Sequence, residues 1–171
     1  MHTASVLVEA YLRVAPGQSN AVIAAKRDRA AGYCLALGDG GAPIWTLTAA
    51  GTVATLGCTN GIADGRWHHV LAEADRRTRR MALYCDGVRV ATGPLTLPPD
   101  ASLASRADFV ACQGLACTIE FLRVEQGSLA DAQTTIEELY AWQFAGPQFR
   151  DFCGDAPAGP RRAAGALECR P

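Results

Sequence analysis

From Ser5 onward the chain is a succession of short strand-forming runs, and turn residues cut each one off before it can lengthen. Residues 5–14 are rich in β-branched and apolar side chains, partly alternating, and stop at Pro16-Gly17. Residues 21–26 and 33–38 follow, the second ended by Asp39-Gly40-Gly41. Residues 44–47 and 53–56 flank a turn at Ala50-Gly51. After the Asp64-Gly65 turn, residues 67–74 lead to a charged hairpin tip and residues 81–85 return. Asp86-Gly87 marks a tight turn into residues 88–91, and residues 109–112 and 117–124 complete the set. Many short strands at this spacing predict a sandwich or a barrel.

The composition narrows the function classes. A chain of 171 residues suits one domain with a short tail and buries a sizeable core. Hydrophobic residues at 49% and charged residues at 19% exclude a disordered chain. A net charge of −1 gives no global attraction to nucleic acid or acidic lipid. No apolar run approaches the ~18 residues of a membrane span, so no membrane insertion is expected. Met1-His2-Thr3 has no basic region and no long apolar stretch behind it, so no signal peptide is read. The seven cysteines are an odd number, which leaves at least one thiol free or paired outside the chain. Cys112 and Cys117 are close enough in sequence to close a small loop by a disulfide; the alternative is that the cysteines are small core residues. No zinc-ligand spacing occurs.

One segment departs from the strand pattern. Thr135-Ile136-Glu137-Glu138 fits a capping box, and Ile136, Leu139 and Tyr140 fall on one helical face. This predicts one short helix near 135–144. Beyond Cys153, the breakers Gly154, Pro157, Gly159, Pro160 and Gly165 predict an irregular tail or linker over 153–171, outside a domain of 1–152.

The most specific stretch is Asp64-Gly65-Arg66-Trp67-His68-His69-Val70, followed by Leu83-Tyr84-Cys85-Asp86-Gly87-Val88-Arg89-Val90. It resembles the signature hairpin of laminin-G-like domains, which reads DG-x-WHHV, a variable tip, then LYvDG; Cys85 stands where valine is usual. Val8-Glu9-Ala10-Tyr11-Leu12 resembles an upstream strand of that family, and Ile119-Glu120-Phe121-Leu122-Arg123-Val124 a downstream one. The resemblance spans roughly 5–145. It implies a two-sheet antiparallel jelly-roll sandwich of the concanavalin A-like kind, with the predicted helix at its end. The family's usual opening strand is missing before Ser5, and Ala163-Ala164-Gly165-Ala166-Leu167-Glu168 resembles the end of larger secreted bacterial proteins. The expectation is therefore a fragment of an extracytoplasmic protein, its export signal upstream.

The resemblance implies structural roles for Trp67, His68, His69, Tyr84, Asp86 and Gly87. Trp67 and Phe121 are expected in the core, with inward Val, Leu and Ile. His68 and His69 are adjacent on a strand and so point to opposite faces. Some laminin-G-like domains bind calcium at a sandwich rim, and the loop acids Asp39, Asp64 and Asp108 are the candidate ligands here. Arg76, Arg77, Arg79 and Arg80 crowd one hairpin tip, either as a solvated turn or as a patch for sulfated or uronic polysaccharide. Glycosidases of this superfamily need two carboxylates facing one sugar bond. The nearest match is Glu120-Phe121-Leu122-Arg123-Val124-Glu125, where Leu122 replaces the central Asp and strict alternation separates Glu120 from Glu125. The leading expectation is a non-catalytic binding module for a polysaccharide, glycan or protein partner. The alternatives are a structural accessory domain packed on a neighbouring domain of the same polypeptide, and a glycoside hydrolase.

Overall fold

Alternation along the strands sorts the side chains of this protein into an inner and an outer set. In β1 (Val6–Val14), Val6, Val8, Ala10, Leu12 and Val14 all enter the core, and Glu9, Tyr11 and Arg13 take the other face. In β4 (Pro43–Ala49), Trp45, Leu47 and Ala49 point inward, and Thr46 and Thr48 are half-buried on the outside. The computed structural model describes residues 3–130. The chain divides into two units, Met1–Ser128 and Leu129–Pro171, and the sandwich is the first. The helix expected near 135–144 and the tail expected over 153–171 lie outside the described residues.

The remaining strands are β2 (Ala21–Arg27), β3 (Gly32–Leu37), β5 (Thr52–Gly57), β6 (Trp67–Asp75), β7 (Arg80–Cys85), β8 (Val88–Pro94), β9 (Val110–Gln113) and β10 (Cys117–Gln126). They form two five-stranded antiparallel sheets, ordered β10-β1-β6-β7-β8 and β5-β4-β3-β2-β9. This is the jelly-roll sandwich, and every expected strand is present within a few residues of its expected limits. Two hairpins turn on paired positive φ angles: Ala50 (48°) with Gly51 (72°), and Asp86 (51°) with Gly87 (77°). That geometry suits the right-handed twist of the flanking strands.

The core between the sheets centres on Trp45, fully buried, with Leu12, Ile23, Leu35, Leu47, Met81 and Leu83 around it. Each such aliphatic side chain contributes about 1.5–3 kcal/mol of hydrophobic stabilisation. The stretch between β8 and β9 has no strand, yet Leu95, Leu97, Ala101 and Leu103 are buried and join the core. The hairpin tip between β6 and β7 holds that stretch. Arg76 donates to the carbonyls of Pro98, Pro99 and Ala101, the last at 2.8 Å, and Arg79 donates to Leu97 O at 2.6 Å.

Candidate functional site

The outward face of the β10-β1-β6 strands carries aromatic and cationic side chains where a sandwich exterior is ordinarily polar. Register sets them side by side. Arg13 lies between Trp67 and Thr118, and Tyr11 lies between His69 and Phe121. The Tyr11 and Trp67 rings stack with centroids 5.0 Å apart and planes 21° from parallel. The Arg13 guanidinium sits over the Trp67 ring, 5.5 Å from its centroid. Tyr11 is 37% exposed and Phe121 43%, so both side chains reach solvent. Arg13 also lines a shallow cavity of about 370 Å³ with Pro16, Gly65, Ala116 and Thr118.

Beside the rings runs a charged network. Glu9 is buried and accepts from His69 Nε2 at 2.6 Å, and its other oxygen lies 2.7 Å from Arg123 Nη2. Arg123 Nη1 reaches Glu125 at 3.4 Å. Burial raises the Glu9 pKa, but His69 and Arg123 outweigh it and hold the carboxyl below its usual range. This network ties β10, β1 and β6 together beside the aromatic patch.

His68, one residue from His69, points the other way, as alternation requires. Its Nδ1 is 2.8 Å from Asp86 Oδ2 and its Nε2 is 3.0 Å from Asp64 Oδ1. Burial alone would lower the His68 pKa; the bonds to Asp86 and Asp64 outweigh burial and raise it. Asp86 also accepts the His69 backbone N–H at 2.9 Å, and Asp64 accepts that of Arg66 at 2.8 Å. His68 and Asp86 line a second cavity of about 310 Å³ with Ile62, Cys85 and Val90. Gly87 completes the turn behind Asp86, and Tyr84, half-buried, faces outward between Leu71 and Arg89.

Several sequence expectations need correction. Trp67 is only half-buried and belongs to the outward patch; the core tryptophan is Trp45. Phe121 is exposed as well, because a bulge opposite Tyr11 and Leu12, at Glu120, resets the alternation of β10. The same bulge removes the alternation that was expected to separate Glu120 from Glu125. Glu125 is instead engaged by Arg123, and neither of the two cavities described is lined by two carboxylates. Asp39, Asp64 and Asp108 do not come together as one group. Asp64 is held by His68 and Arg66, Asp39 accepts from Asn20 at 3.1 Å, and Asp108 is exposed. Among the described residues no three His, Cys, Asp or Glu side chains form a group able to hold a metal. The four tip arginines divide: Arg76 and Arg79 spend their guanidinium groups on loop carbonyls, and Arg77 and Arg80 are exposed. Cys112 and Cys117 are brought together, with Sγ atoms 3.0 Å apart.

Two antiparallel sheets in this order, with the Trp67-to-Gly87 hairpin inside one of them, define a concanavalin A-like sandwich. The chain belongs to the laminin-G-type family of the concanavalin A-like lectin/glucanases superfamily, whose model matches residues 2–133. No curated protein matches it. Among solved structures it is similar to the mouse laminin alpha1 chain, domains LG4-5, at 13% identity and TM-score 0.59, covering 74% of this chain and 36% of that one. It is similar to the CBM40 of the Ruminococcus gnavus IT-sialidase bound to alpha2,3 sialyllactose, at 17% identity and TM-score 0.54, covering 77% and 80%. It is also similar to the binding domain of botulinum neurotoxin DC in complex with SialylT, at 11% identity and TM-score 0.59, covering 84% and 37%. The chain thus spans about a third of the laminin and neurotoxin chains. At these identities the likeness establishes the fold alone.

Proposed function

We propose that this domain is a non-catalytic carbohydrate-binding module of a larger extracytoplasmic protein, and that it takes an acidic glycan on the Trp67, Tyr11 and Arg13 patch. The observation that carries the reading is Arg13 poised over Trp67, which is itself stacked on Tyr11, in the open. Ring faces present an apolar surface to the C–H side of a pyranose, and a guanidinium fork matches a carboxylate or sulfate. Among the described residues Arg13 has no carboxylate partner in an ion pair, so its charge is available to a ligand. The two sialoglycan-bearing neighbours support a glycan in general terms. The absence of a carboxylate pair in the cavities described favours binding over hydrolysis.

The test is a glycan array probed with the purified chain, with calcium and with EDTA. Selective retention of carboxylated or sulfated glycans under both conditions supports the reading. A blank array from a folded chain contradicts it and moves the domain to a structural role against a neighbouring domain.

A further inference from the structure

Cys112 lies in β9, an edge of one sheet, and Cys117 opens β10, an edge of the other, so this pair of cysteines spans the gap between the sheets.

Cys112 and Cys117 approach to 3.0 Å, only about 1 Å beyond a disulfide bond length. Cys112 has a positive φ of 54°, a backbone conformation uncommon for a non-glycine residue. Cys34 is buried in β3 and is not part of this pair.

We infer that the β9 and β10 edges of this sandwich are joined by a Cys112–Cys117 disulfide, formed in an oxidising compartment. The chemistry needs an external disulfide as oxidant. A thiolate of the pair attacks that disulfide, one external thiolate leaves, and a mixed disulfide forms. The second cysteine's thiolate attacks the first cysteine's sulfur and expels the other external thiolate. The pair loses two protons and two electrons, and one external disulfide becomes two thiols. The inference is independent of what the outward face binds.

The test is to refold the full chain in reduced and oxidised glutathione, alkylate free thiols, digest with trypsin and map the peptides without reduction. The expected result is an unalkylated peptide 107–123 two hydrogens lighter than its dithiol form. Reduction of the parent lowers its melting temperature by roughly 5–10 °C. An alkylated Cys112 or Cys117 in the refolded chain, or a link from either to another cysteine, overturns the inference.

Discussion

His68 Nδ1 lies 2.8 Å from Asp86 Oδ2, and the opposite ring nitrogen faces Asp64 at 3.0 Å. An imidazole with a carboxylate at each nitrogen donates to both only as the imidazolium. Its pKa is accordingly raised, and those of Asp64 and Asp86 are lowered. The two shifts act at different ends of the pH scale. The His68 contribution is fully present below its unfolded pKa, about 6.5, and is lost as pH rises through the folded value. The carboxylate contributions are present above about 3.9 and are lost as pH falls through their depressed values. The stabilisation by this cluster is therefore greatest between about pH 4 and pH 6.5. His68→Gln is expected to lower the melting temperature most in that window and much less at pH 8 or above, a difference that paired thermal melts resolve. An equal loss at all pH values would contradict the charged form.

Glu9 joins three strands through one carboxylate, with His69 on β6 and Arg123 on β10. Glu9→Gln keeps the volume and removes the charge. It leaves a mostly buried guanidinium short of one partner, at a cost of about 2 kcal/mol. Urea denaturation measures this. An unchanged midpoint would mean that the network adds nothing to the stability of the sheet.

The two tryptophans are expected to separate stability from binding. Trp45→Ala empties the centre of the core and costs roughly 3–5 kcal/mol. Trp67→Ala removes a half-buried ring from the outer face and costs about 1–2 kcal/mol, mostly the lost stacking on Tyr11. Denaturation midpoints of the two variants decide this. Equal losses would return Trp67 to a core role.

The hairpin-tip arginines divide in the same manner. Arg76→Ala and Arg79→Ala each strip hydrogen bonds from the stretch after β8, at about 1–2 kcal/mol apiece, and raise amide exchange over residues 95–103. Arg77→Ala and Arg80→Ala are expected to fall within about 0.5 kcal/mol of the parent. Hydrogen exchange distinguishes the two sets. Uniform behaviour of all four would contradict the clamp.

The strands and their turns were legible because local rules govern them: the Asp86-Gly87 turn, the β1 alternation and the opposed histidines are all written in adjacent residues. The sandwich itself was legible through the Trp67-to-Gly87 hairpin. What adjacent residues do not encode is which face of a strand looks inward when the larger side chains are on the outer face. In β6, Trp67 shares its face with His69 and Glu73, while the inner face has only Val70, Ala72 and Ala74 of small size. The bulge at Glu120 is likewise a property of two strands in register, so the outward turn of Phe121 could not be read from β10 alone. The calcium candidates failed for a related reason. Loop acids converge only if tertiary structure brings them together, and Asp64 is drawn instead to a histidine four residues away. Trp45 had a usable signal in the alternation of Trp45, Leu47 and Ala49 with Thr46 and Thr48.

The central claim is that the Trp67, Tyr11 and Arg13 face holds a glycan. The most direct measurement compares the parent, Trp67→Ala, Arg13→Ala and Arg77→Ala chains on one array of acidic and neutral glycans, each chain first shown to be folded. The account predicts that Trp67→Ala and Arg13→Ala lose at least ~10-fold in binding to the acidic glycans, the equivalent of one bidentate contact or ring stack. Arg77→Ala is predicted to bind like the parent. Undiminished binding by folded Trp67→Ala and Arg13→Ala chains, or loss confined to Arg77→Ala, would place the site elsewhere and contradict the account.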